Sequence, residues 1–166
     1  MKKAKLVLAF ALVITLVGAF IASGVQTVGG TVTVSNITLA AEDGRSISAM
    51  LFVQKTATDS THETAVMINH GYLNTKEHMT DIALELARRG YVVLSPDMSG
   101  HGYSQQLAKE CQFFGLESSA GVDAALLSLY GMSIVDNTNI SVVGHSLGGH
   151  NSAITELKSP DKIKAL

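Results

Sequence analysis

The sequence predicts an α/β fold in which a mostly parallel sheet carries helices on both faces, behind an N-terminal β-hairpin. Two observations support this prediction. From residue 64 onwards, short apolar runs typical of buried strands alternate three times with segments of helical spacing. Each of these apolar runs ends in a polar or glycine-rich loop. Because strand–helix alternation is connected by right-handed crossovers, it yields a parallel sheet with helices packed on both faces.

The composition suits a single folded domain. The chain has 166 residues, of which 46% are hydrophobic and 16% are charged, values that exclude a disordered tail. The formal net charge is −2 and no Lys/Arg cluster occurs beyond the first five residues, so nucleic-acid binding has no electrostatic support. A single cysteine, Cys111, excludes an internal disulfide and a cysteine-based metal site. We expect no cofactor and no metal.

The first 24 residues have the pattern of a membrane or export segment. Lys2, Lys3 and Lys5 precede an apolar run from Leu6 to Ala22. This run exceeds a signal-peptide core of about 7–15 residues and reaches the lower limit of about 17–25 residues for a membrane span. We expect an uncleaved signal anchor with the lysines in the cytoplasm and the domain outside. A secreted protein with a cleaved signal peptide and a buried core helix are the alternatives.

A short linker and a hairpin follow the apolar segment. Residues 25–30 are predicted to be the linker, and residues 31–166 the folded domain. Thr31–Leu39 and Ser46–Gln54 are rich in β-branched and apolar residues, which favour strands. Asp43-Gly44 lies between them and is a typical hairpin turn. The sequence therefore predicts two antiparallel strands before the first strand–helix unit.

Three strand–helix units make up the rest of the chain. Buried strands are predicted at Thr64–Asn69, Tyr91–Ser95 and Ile140–Val143, and helices at His78–Arg89, Ser118–Leu129 and Leu147–Leu157. In open α/β sheets, ligands bind outside the carboxyl ends of the strands. The loops at those ends therefore hold the candidate functional residues.

The loop before the last helix contains the motif G-x-S-x-G at residues 144–148, between a strand-like run and a helix-like one. In this context Ser146 occupies a tight, strained turn that points its hydroxyl out above the sheet. A side chain at Gly144 or Gly148 would collide with neighbouring backbone. The helix that begins at Leu147 directs its N–H groups to the place where an oxyanion would form. The other interpretation of Ser146 is a residue of an ordinary glycine turn.

Three segments together resemble the N-terminal half of an α/β-hydrolase. "INHGY" resembles the His-Gly element after strand 3 of that family, "SPDMSGHGYS" its strand-4 loop, and "VVGHSLGG" its nucleophile elbow. The three occur in the family's order, and the resemblance runs from about Thr31 to the last residue. It implies an α/β-hydrolase-type sheet that stops after the elbow helix.

The resemblance also implies roles for individual residues. Ser146 corresponds to the nucleophile, and the backbone N–H groups of Leu147 and Tyr72 correspond to the two donors of the oxyanion hole. His70, Asp97 and His101 correspond to residues that stabilise their loops. His145 and His150 lie five positions apart, which does not match the spacing of a helical zinc pair.

The remaining members of a catalytic triad are expected beyond Leu166. In this fold an Asp or Glu and then a His follow the nucleophile, and only twenty residues follow Ser146. We therefore expect this chain to be a fragment that is inactive alone, because a serine without a base is a poor nucleophile.

The functional prediction is a membrane-anchored or exported serine hydrolase that cleaves a small-molecule ester, thioester or amide. The segment "HGYLN" lacks the glycine run of HGGG-type lipases, which favours small or medium acyl groups. The alternative is a non-catalytic protein of the same fold that binds or senses at the cell surface, and a third interpretation is an interaction domain completed by another chain.

Overall fold

A computed structural model describes residues 2–106 and 115–166, so Cys111 lies outside the described residues. These residues contain five strands and four α-helices. The strands are β1 (Val32–Ala40), β2 (Ser46–Gln54), β3 (Glu63–Asn69), β4 (Val92–Pro96) and β5 (Val135–Gly144). The helices are α1 (Lys2–Gln26), α2 (Thr80–Arg88), α3 (Ala120–Tyr130) and α4 (Leu147–Lys158). Each predicted strand and helix is present, which confirms the α/β class.

The five strands form one mixed sheet in the order β1-β2-β4-β3-β5. β3 pairs in parallel with both β4 and β5, whereas β2 is antiparallel to β1 and to β4. The hairpin therefore adds its two strands to one edge of a parallel centre. The tight turn between them closes through a hydrogen bond from the N–H of Ala41 to the carbonyl of Arg45, with Gly44 at a φ of +83°.

Helices cover the sheet on both faces, as the sequence predicts. On one face, α2 buries Ala83 and Ala87 against a cluster that includes Phe52 and Ile68. On the other face, α3 packs its apolar stripe into a larger cluster around Met67. Since both faces of β3 and β4 are covered, these strands consist of continuous apolar runs rather than alternating ones.

Most boundaries differ from the sequence prediction by one or two residues, and the start of β5 differs by more. β5 begins at Val135, five residues before the predicted Ile140, because Val135 pairs with Glu63 across an irregularity in the register. Single 3₁₀ turns at Lys76–Met79 and Leu116–Ser119 precede α2 and α3. Near the C-terminus, Ala165 forms a parallel bridge with Ser141 of β5.

Helix α1 is long and apolar enough to cross a membrane. All of its residues lie in the described part of the chain, and none of them is buried. It continues to Gln26, beyond the predicted boundary at residue 24, and hydrogen-bonded turns join it to Val32 at the start of β1.

Candidate active site

Ser146 lies on a strained turn between the end of β5 and the start of α4. Its φ of 54° and ψ of −116° fall in a region that non-glycine residues rarely adopt. The side chain is exposed, and within the described residues its hydroxyl makes no helix-capping hydrogen bond. Holding a non-glycine residue in such a conformation costs about 1–3 kcal/mol. The backbone therefore presents the hydroxyl outward at a measurable cost in stability.

Two glycines make this turn possible by letting backbone segments touch. A Cβ at Gly144 would lie 2.5 Å from the carbonyl oxygen of Gly148. A Cβ at Gly148 would lie 2.5 Å from the carbonyl oxygen of His70 and even closer to that of Asn69. The predicted collisions are therefore confirmed, and the second of them joins the elbow to the loop after β3.

The N-terminus of α4 lies directly behind the serine. Leu147 is the first residue of the helix and is buried, and its N–H is one of the groups that an α-helix leaves without an internal partner. The helix dipole adds positive potential at this end. An anion that forms beside Ser146 would meet both.

The loop after β3 packs against the elbow. The N–H of His145 donates to the carbonyl of Asn69 at 3.0 Å, and a Cβ on Gly71 would lie 2.8 Å from Nδ1 of His145. Tyr72 comes next in the chain, half exposed, with its ring edge-on to His101 at 5.5 Å. The structure thus brings the segment holding Tyr72 next to the segment holding Leu147.

His70 stabilises this loop through both ring nitrogens. Its Nε2 accepts the backbone N–H of Met98 at 3.0 Å, so the proton resides on Nδ1, which donates to the carbonyl of Gly71 at 2.8 Å. The ring is buried, and this burial lowers the pKa of His70 below its ordinary value. A neutral imidazole with one hydrogen bond at each ring nitrogen therefore links the loops after β3 and β4.

Asp97 has a comparable structural position in the loop after β4. Its fully buried carboxylate accepts the Nζ of Lys76 at 2.7 Å, the N–H of Lys76 at 2.7 Å and the N–H of Tyr103 at 3.0 Å. Burial alone would lower the pKa of Lys76, but hydrogen bonds to Asp97 and Glu77 outweigh it and raise that pKa. His101 is also buried, with Nδ1 3.1 Å from the carbonyl of Ser99.

Two contributors to the site were missed by sequence reasoning. Lys76 is almost completely buried although lysine is rarely buried, and its partner Asp97 is 21 residues away in the sequence. Asn69 donates from Nδ2 to the hydroxyl of Ser152 at 2.8 Å, and that hydroxyl donates to the carbonyl of Gly148 at 2.6 Å. The one sequence signal for Asn69 is that it is a polar residue at the end of a buried, mostly apolar strand.

The arrangement combines an exposed hydroxyl, a helix N-terminus and a second backbone loop at one edge of the sheet. A hydroxyl with amide donors nearby is suited to attack on a carbonyl, whose oxygen becomes negatively charged in the transition state. The histidine and carboxylate of the neighbouring loops are engaged in structural hydrogen bonds.

Solved structures share this architecture at low sequence identity. An acetyl xylan esterase from Paenibacillus sp. R4 superposes with a TM-score of 0.71 and 19% identity over 81% of this chain and 48% of its own. For an epoxide hydrolase from Vigna radiata the TM-score is 0.64 at 20% identity, over 80% of this chain and 38% of its own. The thioesterase domain from the curacin biosynthetic pathway superposes with a TM-score of 0.62 and 24% identity, over 80% of this chain and 42% of its own.

This chain therefore spans less than half of the length of each of these neighbours. None of the curated proteins matches the sequence. The model of the α/β hydrolase fold matches residues 64–166, which is more than half of the chain. That segment contains the strand-end loops and the elbow described above. The chain belongs to the α/β-hydrolase fold family.

Proposed function

We propose that the protein is a serine hydrolase that cleaves an ester, thioester or amide and is held at the cell membrane by α1. The observation that carries the proposal is Ser146, which is exposed on a strained turn at the N-terminus of a helix. A binding protein gains nothing from keeping a serine in a costly conformation, whereas a nucleophile needs that exposure.

In the proposed mechanism, Oγ of Ser146 attacks the carbonyl carbon of the substrate and gives its proton to a histidine base. The N–H groups of Leu147 and Tyr72 stabilise the negative oxygen of the tetrahedral intermediate. The intermediate collapses to an acyl-enzyme as the leaving group takes the proton from the histidine. Water, deprotonated by the histidine, then attacks the acyl carbon. The bond from that carbon to Oγ breaks, the carboxylic acid leaves, and Oγ of Ser146 takes the proton back from the histidine.

We assign the base and its carboxylate partner to the part of the protein that follows residue 166. Support comes from the length of the solved neighbours and from His70, whose ring nitrogens are both engaged. The segment after Ser146 is committed to α4, a 3₁₀ turn and the bridge to β5. On this proposal, residues 1–166 alone have no esterase activity.

The membrane assignment rests on α1. Twenty-five helical residues extend about 37 Å at 1.5 Å per residue, enough for a hydrocarbon core of about 30 Å. Lys2, Lys3 and Lys5 at its start favour a cytoplasmic N-terminus and an external domain. The protein is expected to resist alkaline carbonate extraction, and a soluble product beginning near Val25 would instead indicate a cleaved signal.

The catalytic proposal is tested with protein expressed from its complete gene. Hydrolysis of a short-chain p-nitrophenyl ester should fall by several orders of magnitude in Ser146→Ala, because loss of the nucleophile leaves only the oxyanion hole and binding. Ser133→Ala is the matched control, since Ser133 is exposed and bonded to Asp59 rather than placed at the elbow. Near-normal turnover in Ser146→Ala would show that the protein works without this serine.

A further inference from the structure

The connection between α1 and the domain fixes which end of the sheet adjoins the membrane. The N–H of Gly29 donates to the carbonyl of Gly24 at 2.7 Å, and the N–H of Val32 donates to the carbonyl of Thr27 at 3.0 Å. Val28 packs against the core cluster of Val32 and Phe52. The five residues between helix and strand are therefore folded onto the domain, and they restrict how far α1 can turn relative to the sheet.

This connection joins the sheet at the end opposite to the candidate active site. β1 runs in the same direction as β4, since both are antiparallel to β2. Val32, the first residue of β1, therefore lies at the amino end of the parallel strands. Ser146 and Tyr72 follow the carboxyl ends of β5 and β3.

The register gives the separation of the two ends. Pro96, the last residue of β4, pairs with Ala49, which in turn pairs with Ile37. Ile37 is five positions after Val32 in the same strand, a distance of about 17 Å at 3.4 Å per residue. Ser146 lies beyond the strand ends, so the site is farther from the connection than this.

Helix α1 also leaves the domain without folding back over it. None of the residues Lys2–Gln26, which all belong to the described part of the chain, is buried. Lys55, next to the connection, donates its backbone N–H to the carbonyl of Thr31 at 3.0 Å, so the end of β2 is also held at this edge. With α1 in the bilayer, the amino edge of the sheet meets the headgroups.

We infer that the active site opens away from the membrane and acts on acyl compounds carried in the aqueous phase, not on acyl lipids of the bilayer that holds the enzyme. This inference rests on the proposed function, since it needs both the anchor and the nucleophile. Because the connection is short and folded, the domain cannot turn far enough to bring Ser146 to the esters of the bilayer.

The orientation is measured first, on the full-length protein in phosphatidylcholine vesicles that carry a nitroxide quencher on some headgroups. With Cys111 replaced by serine, a fluorophore is attached through Thr56→Cys at the amino edge or through Leu73→Cys at the site edge, two positions that are both exposed. We expect most of the fluorescence to be lost at position 56 and little at position 73. Equal quenching, stronger quenching at position 73, or no quenching at either would overturn the inference.

The substrate class is measured in the same vesicles. The enzyme should hydrolyse a soluble short-chain p-nitrophenyl ester and leave the phosphatidylcholine intact. A flexible Gly/Ser insertion after Gly30 should allow phosphatidylcholine hydrolysis while soluble turnover stays unchanged. Phosphatidylcholine hydrolysis by the uninserted protein at a rate comparable to soluble ester hydrolysis would overturn the inference while leaving the serine mechanism intact. Loss of the mechanism itself would instead show as turnover that survives Ser146→Ala, and the quenching pattern would still decide the orientation.

Discussion

The loops after β4 and β5 both begin at the carboxyl edge of the sheet, yet they differ in how they treat their polar groups. The β4 loop buries its charge, with the carboxylate of Asp97 fully enclosed by Lys76 and backbone N–H groups. The β5 loop exposes Ser146 on a backbone with positive φ, and at Gly144 and Gly148 neighbouring backbone lies too close for a side chain. In the β4 loop, polar groups stabilise the loop itself. In the β5 loop, a strained backbone exposes one hydroxyl.

The number of polar residues in a strand-end loop therefore does not indicate where the chemistry occurs. The β4 loop contains an aspartate, a histidine and two serines, but Asp97 and His101 are buried and hydrogen-bonded. We assign the chemistry to the β5 loop because a strained, exposed hydroxyl needs a reason to persist.

Removing the buried charge should destabilise the fold most. Asp97→Asn leaves the buried ammonium of Lys76 with only the half-exposed carboxylate of Glu77, 3.0 Å away. Removing one partner of a buried ion pair typically costs about 3–5 kcal/mol. The matched control is Glu85→Gln, which breaks exposed ion pairs with Arg88 and Arg89 and should barely move the midpoint of urea unfolding. Similar midpoints for the two variants would show that the β4 loop does not depend on its buried pair.

Adding one methyl group at the elbow should come next. In Gly148→Ala the new Cβ would press on the carbonyls of Asn69 and His70, an overpacking that typically costs about 1–3 kcal/mol. At Gly131 a Cβ would meet its nearest atom at 3.6 Å, so Gly131→Ala is the control and should be close to neutral. Equal urea midpoints would mean that the elbow can relax away from the β3 loop.

Relieving the backbone strain at Ser146 should stabilise the protein. Both Ser146→Gly and Ser146→Ala remove the hydroxyl, but only glycine adopts the observed φ of 54° without steric cost. Strain of about 1–3 kcal/mol, less the entropic cost of glycine, leaves Ser146→Gly more stable by about 1 kcal/mol. Thermal unfolding of the two variants measures the difference, and a less stable glycine variant would argue against stored strain.

The smallest effect expected is a pH dependence from His70. Its pKa is lowered in the folded state, mainly by burial, so the unfolded chain binds the proton more tightly. Stability should therefore be fully present above the unfolded pKa of about 6.5 and decline as the pH falls below it. His70→Gln should reduce this slope in urea titrations between pH 7 and pH 5, whereas an unchanged slope would assign it to other groups.

The sequence predicted most of the fold because its strands and helices have strong local patterns. Ser46–Gln54 is found with the predicted bounds, and the elbow helix differs by one residue. The early start of β5 was not predictable, because the polar segment Asp136–Asn139 has no strand pattern and the pairing of Val135 with Glu63 depends on tertiary register.

The candidate site was predictable in its backbone and less so in its support. Glycine spacing around Ser146 reports a local steric requirement, which a motif can carry. The contacts of Lys76 with Asp97, and of Asn69 with Ser152, join residues 21 and 83 positions apart. Neither pair leaves a local pattern, so only the folded arrangement reveals them.

If Ser146 becomes covalently acylated during turnover, a reagent that mimics an acyl substrate should form a covalent adduct on this residue. The full-length protein is treated with a fluorophosphonate, digested with trypsin, and analysed by fragmentation mass spectrometry. We expect one modified residue, Ser146, with Ser133 unmodified in the same digest and no adduct after Ser146→Ala. A stable adduct on another serine, or active enzyme that carries no adduct at Ser146, would contradict it.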